Sequence, residues 1–251
     1  MFDIAVNLAD AQLRPRTEAI LSQAWQARVS GLLALGTDLE ESQYLFDQRW
    51  DSRVHLTAGT HPHYADQFAG GDAFEAMWQD PRCVAIGECG LDYYRMLSDR
   101  VTQQQVACVQ LDAALRLGKP ALMHDREASA DLLSLVQARP GLRGVVHCFT
   151  GDRIALEGYL NAGLSIGLTA WCLDERRGQS LAAIVPHIPL DRLLIETDSP
   201  YLVPRTLKPR PRRNEPAFIS HIAIGIAALR GEDPATLIDQ TTANARALFQ
   251  C

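Results

Sequence analysis

The chain has no apolar run long enough to cross a membrane, no Cys-x-x-Cys pair and only two lysines, Lys119 and Lys208. The first absence excludes a spanning helix. The opening MFDIAVNLAD also lacks a basic stretch ahead of an apolar signal core, so a cytoplasmic protein is expected. The six cysteines (Cys83, Cys89, Cys108, Cys148, Cys172 and Cys251) sit mostly among apolar neighbours and read as reduced packing thiols. Scarce lysine beside abundant arginine reads mainly as genome base composition. A net charge of -6 excludes a general nucleic-acid coat but leaves room for a nucleic-acid enzyme with a local basic patch. Glycine is missing where a dinucleotide-binding sheet would need it, because NLADAQL after the first strand contains none.

What is present is a regular alternation. Apolar, β-prone runs occur at Phe2 to Leu8, Gly31 to Thr37, Arg53 to His63, Cys83 to Glu88, Pro120 to Asp125, Gly144 to Gly151, Gly163 to Trp171 and Leu193 to Leu202. Helical spacing separates them at Arg16 to Arg28, Glu40 to Trp50, Asp72 to Gln79, Ser98 to Leu117, Glu127 to Ala138, Asp152 to Asn161 and Arg177 to Val185. Two further helices are predicted, from about Asn214 to Leu229 and from Pro234 to Phe249. Eight strands alternating with helices over 251 residues, with no Pro- or Gly-rich linker, predict one α/β domain over 1–251. The expected architecture is a (β/α)8 TIM barrel.

In such a barrel the loops after the strands converge, so polar residues at strand ends meet. Here those residues are Asn7, His61, Glu88, His124, His147 and Asp198. Glu88, in VAIGECGLDYYR, ends an otherwise buried strand, where a carboxylate must be paired, protonated or on a metal. Neighbouring strands lie ~4.8 Å apart, so Glu88, His124 and His147 on consecutive strands can hold one ion, with Asp198 approaching across the mouth. Imidazoles with carboxylates suit Zn2+, Mn2+ or Ni2+ better than Mg2+. The reaction class is metal-assisted hydrolysis, with Asp198 as ligand, general base or both. No organic cofactor is expected.

Together MFDIAVNL, GTHPH, AIGECGLDYYR, MHDR, HCFTG, IGLTAW, ERRG, LLIETDSPYL and RRNEP resemble the TatD family of metal-dependent deoxyribonucleases, from Met1 almost to Phe249. The resemblance implies a barrel of the amidohydrolase type. It also implies 3'→5' exonuclease action on single-stranded DNA, with RNA as a further substrate, a role in DNA repair or degradation, and Mg2+ as the usual ion. By motif, Glu88, His124 and His147 fall on the family's metal ligands and Asp198 on its metal-proximal catalytic aspartate. Many relatives carry His-x-His on the first strand, and this chain has Asn7-Leu8-Ala9 instead. One firmly held ion is therefore expected, with a weaker second one shared by Glu88 and Asp198. Asp125 stands where a small neutral or thiol residue is more usual. Strand alternation turns it away from the ion, towards a salt bridge with a helix.

Around this centre, His61 and His63 are candidates for contact with the scissile phosphate, His63 also as a catalytic residue. Arg126 and Arg213 are candidates for a phosphate clamp, and Trp171, Tyr93 and Tyr94 for stacking on a base. The basic run Arg205 to Arg213 follows the last strand, where a DNA backbone would pass. Glu196, one layer below Asp198, is expected to support a ligand histidine. A monomer with single-stranded DNA or another nucleic acid as substrate, and no membrane partner, is expected. The competing readings are an ester hydrolase acting on aminoacyl-tRNA and a metal-bound scaffold without activity.

Overall fold

Every apolar run named above enters one parallel sheet in the computed structural model, which describes Met1–Cys251 throughout. The strands are β1 (Phe2–Val6), β2 (Gly31–Ala34), β3 (Val54–Ala58), β4 (Cys83–Asp92), β5 (Ala121–Arg126), β6 (Gly144–His147), β7 (Ser165–Leu168) and β8 (Leu193–Ile195). They lie side by side in chain order. The helices are α1 (Thr17–Gln26), α2 (Leu39–Asp47), α3 (Glu75–Gln79), α4 (Arg100–Leu117), α5 (Ser129–Gln137), α6 (Arg153–Asn161), α7 (Gln179–Ile184), α8 (Ile219–Arg230) and α9 (Pro234–Phe249). None is long and apolar enough to cross a membrane.

Local chemistry sets the helix starts. Asp38, Asp99, Asp152 and Asp233 each accept the amide three residues on, at 2.8–3.0 Å, satisfying a donor that α2, α4, α6 and α9 would otherwise leave open. Gly118 ends α4 with φ 65°, a conformation that suits glycine.

Most elements are shorter than their sequence patterns, and in four of them the course of the chain beyond the end is informative. β3 stops at Ala58, and His61 Nδ1 then accepts the His63 amide to begin a 3-10 turn over Pro62–Gln67. β7 stops where Thr169 caps the turn Ala170–Leu173. β8 stops at Ile195 because the following amides close the barrel. Glu196 N bonds Leu168 O of β7, whereas Asp198 N bonds Ala5 O and Asn7 N bonds Ser199 O across to β1. The helix expected over Asp72 to Gln79 divides into a 3-10 turn at Gly71–Ala73 and the short α3.

The barrel interior is filled by Ile4, Leu33, Ala85, Leu122, Val145 and Leu194, one side chain from each of six strands. Phe249 of α9 stacks on Phe2 with ring centroids 6.5 Å apart and belongs to the same cluster, closing the end where the strands begin. A larger shell of 41 buried residues joins the barrel to its helices. With one end plugged by apolar side chains, the polar groups gather at the other.

Candidate metal centre

The centre is built on an irregularity in β4. The register with β5 shifts between Ile86, opposite Ala121, and Cys89, opposite Met123, so β4 carries one residue more than its partner there. Gly87, inside the shift, allows this. Its φ is 142°, and a Cβ at that position would collide with the carbonyl of Leu122, as one at Gly90 (φ 119°) would with that of His124. The bulge puts Glu88 among imidazoles from three other strand ends, with His124 and His147 level in adjacent strands.

Glu88 Oε1 lies 2.7 Å from His147 Nε2, 3.3 Å from His61 Nε2 and 3.4 Å from His124 Nδ1. One oxygen cannot accept three well-formed hydrogen bonds from these rings, and ligand atoms of His61, Glu88 and His124 lie within 4.8 Å of one another. The outer nitrogens separate the three imidazoles chemically. His147 Nδ1 is 3.5 Å from Glu196 Oε2, and His124 Nε2 is 3.4 Å from Asp92 Oδ2. Both nitrogens are buried and neither pair is aligned as a hydrogen bond. With a proton on each outer nitrogen facing a carboxylate, His124 Nδ1 and His147 Nε2 would offer lone pairs to a cation held beside Glu88. His61 is the opposite case: its Nδ1 accepts the His63 amide at 3.0 Å, so the neutral ring carries its proton on Nε2 and points a donor inward.

The electrostatics agree. Burial opposes the charge on Glu88, but His61, His147 and His124 outweigh it and hold the carboxyl well below its ordinary value. Burial pushes His61 down to about 3, so this ring stays neutral. Burial also disfavours charge on His124 and His147. The facing carboxylates, Asp92 and Glu88 for one and Glu88 and Glu196 for the other, nevertheless raise both. The carboxylates around His124 and His147 thus favour positive charge at this point.

Asp198 lines the same cavity, with φ 52°, and its Oδ1 accepts the Asn7 side-chain amide at 3.2 Å. Burial pushes its carboxyl up to about 7, opposed chiefly by His147 and reinforced by Glu88 and Glu196. Cys148, at φ 45°, donates its amide to Glu196 Oε1, and burial keeps its thiol protonated. His63 Nε2 is 2.7 Å from Asp92 Oδ2, while Asp92 Oδ1 accepts the amides of Tyr94 and Arg95 at 3.0 and 2.8 Å. Burial opposes charge on Asp92, yet His124, His63 and the Arg95 amide hold its carboxyl far below the usual range.

These groups floor an open cavity of about 670 Å3, whose wall also includes Arg126 and Trp171. Arg213 is not on that wall, because its guanidinium donates to the Gln12 carbonyl at 2.5 Å. Asp125 does turn its carboxylate to a helix, but as a cap rather than in a salt bridge. It accepts the Ala128 amide at 3.1 Å and the hydroxyls of Ser129 and Tyr159 at 2.5 and 2.8 Å. Tyr93 is tied down by Asp131 and Gln104, whereas Tyr94 remains exposed. Asp92 is the polar neighbour that strand-end reasoning passed over, whereas Asn7 stood among the strand ends. Asp92 had a signal, since it ends the same polar stretch as Glu88.

The model of the family described as TatD related DNase matches residues 2–250. The 3'-5' ssDNA/RNA exonuclease TatD of Erwinia billingiae is 46% identical over 258 residues, covering 100% of this chain and 99% of that protein. The protein of the same name from Salmonella typhimurium is 44% identical, again covering 100% of this chain and 99% of its own length. Among solved structures, a TatD homologue from Escherichia coli superposes with a TM-score of 0.87 at 23% identity, covering 100% of this chain and 98% of that one. A TatD-family hydrolase from Entamoeba histolytica gives 0.86 at 24%, covering 99% and 97%. At these identities the structures speak for the fold, while the sequence matches run from one end of the chain to the other. The chain belongs to the TatD-related DNase family.

Proposed function

We propose that this protein is a metal-dependent exonuclease that removes nucleotides from the 3' ends of single-stranded DNA and RNA. The observation that supports it most is that the outer nitrogens of His124 and His147 face Asp92 and Glu196, which turns His124 Nδ1 and His147 Nε2 towards Glu88. Glu88, His124 and His147 would hold a divalent ion, with Asp198 at its edge. Nitrogen with carboxylate oxygen fits Zn2+ or Mn2+ at rest, and Mg2+ is the ion proposed for turnover. Bound there, the ion supplies a lowered pKa for the attacking water and a counter-charge for the phosphoryl oxygens.

The chain's own groups do the rest. Asp198, steadied by the Asn7 amide, takes the proton of the attacking water, and positive charge beside it favours the ionised form that can do so. His61 presents Nε2–H towards the same point and donates to a phosphoryl oxygen as charge builds there. His63, fixed by Asp92, holds the adjacent side of the phosphate. Glu196 keeps the His147 ring and the Cys148 amide in place. Six unpaired thiols suit a cytoplasmic enzyme, which we take to act as a monomer in DNA repair or turnover.

The test is a single-stranded oligonucleotide labelled at its 5' end and incubated with Mg2+. A ladder shortening from the 3' end is expected from the wild type and should vanish in Glu88→Gln with the fold intact. Intact DNA beside rapid deacylation of aminoacyl-tRNA would overturn the assignment.

A further inference from the structure

We propose that the strand upstream of the scissile bond leaves the cavity over the β4–α4 and β5–α5 loops, its phosphates on Arg95 and Arg126 and a base on Tyr94. This rests on the exonuclease reading and adds the path of the polymer.

The cavity mouth is divided by charge. Arg95 and Arg126 are the only arginine or lysine side chains on its wall, and both lie on one side. The lip formed by the β1 and β2 loops carries Asp10 and Glu41 instead, so a polyanion crossing there would meet like charge. Neither Arg95 nor Arg126 has a carboxylate partner, in contrast to two arginines of neighbouring loops. Arg177 and Arg205 both lie near Asp174, at 3.0 and 3.7 Å. The Arg126 guanidinium instead lies over the Tyr94 ring, 4.0 Å from its centroid.

Apolar surface is concentrated on the same side. Tyr94, Met96, Leu97 and Val101, four of the chain's ten exposed large apolar side chains, fall within eight consecutive residues. Tyr94 is 56% exposed and Leu97 61%, and Leu97 reaches the cavity wall. Unpaired cations beside an exposed ring are what single-stranded nucleic acid needs, because every base has a face to stack and every linkage a charge to neutralise. Stacking does not distinguish deoxyribose from ribose. The basic run Arg205 to Arg213 lacks this placement, since none of its arginines or its lysine reaches the wall.

A substrate series tests the path. A dinucleotide contains only the scissile phosphate, so the ratio of kcat/KM for an oligonucleotide of about twelve residues to that for a dinucleotide isolates upstream contacts. Arg95→Ala should lower this ratio roughly tenfold and reduce the slope of log KM against log salt by about 0.7, the value for one lost phosphate contact on a single strand. Tyr94→Ala should raise the long substrate's KM about fivefold or more, the lower end for one base stack. That effect should disappear when the upstream residues are abasic. A ratio that falls in Arg210→Ala/Arg212→Ala but not in Arg95→Ala would overturn the proposal and move the path to the loop after β8. An unchanged ratio in both would also overturn it. A wild type that shortens neither substrate would instead overturn the exonuclease reading beneath it.

Discussion

Replacing Glu196 with glutamine changes one buried oxygen into an amide nitrogen next to a proposed metal ligand. Glu196 is fully buried. Its Oε1 accepts the Cys148 amide, and its Oε2 faces His147 Nδ1 at 3.5 Å with no other partner. Glutamine can keep the Cys148 contact, but its NH2 group then opposes the proton on His147 Nδ1. The ring escapes by moving that proton to Nε2, the nitrogen needed at the ion. The loss is the attraction of a buried carboxylate for that ring. Loss of such carboxylate support typically weakens metal binding 10- to 100-fold, or about 1.4–2.7 kcal/mol. Mn2+ affinity measured by competition with a fluorescent chelator should therefore fall by that factor, with the melting profile of the metal-free protein close to wild type. Affinity within twofold of wild type, in a folded variant, would refute the argument and leave Glu196 as a support for the Cys148 amide alone.

Metal titration without nucleic acid should show one tight site rather than two equal ones, and at a hundredfold excess over Kd the ion should add about 2.7 kcal/mol to stability in urea melts. Burial pushes the Asp3 carboxyl up to about 8 from 3.8, so in that window the folded chain keeps a proton that the unfolded chain releases. Stability therefore falls as pH rises from about 4 to about 8, and Asp3→Asn should flatten that slope in melts across the range. Gly90→Ala forces a side chain into φ 119° against the His124 carbonyl. It should cost at least about 1–3 kcal/mol in a thermal melt and weaken metal binding with it.

The barrel was legible because its strands are short, β-prone and separated by capped helices, a pattern that local chemistry enforces. Strand ends were less so. The runs ending at His63, Trp171 and Leu202 carry no break that marks where the strand stops, but their backbones turn aside into 3-10 turns or across to β1, a choice made largely by hydrogen bonds between residues outside the run. Glu88, His124 and His147 stood out as polar residues ending apolar runs, and their meeting is a matter of strand register. The hydrogen-bonding roles of the imidazoles could not be read the same way. His61 differs from His124 only through what its outer nitrogen touches, which depends on the His63 amide. Long side chains on loops were the least legible. Arg213 looked like a phosphate clamp and folds onto the Gln12 carbonyl, while Arg95, in plain view beside Asp92, was passed over.

The left-handed residues at the mouth also bear on how this barrel can evolve. A non-glycine residue held in that region costs roughly 1–2 kcal/mol. Arg28, at φ 63° before β2, lies at the end away from the site, so glycine there relieves the cost with little else lost. Cys148 at φ 45° and Asp198 at φ 52° carry the same cost, and there glycine would remove a cavity-lining thiol or the proposed base. Selection for heat resistance can therefore draw freely on the closed end of the barrel. At Cys148 and Asp198 the same gain in stability competes with the site itself.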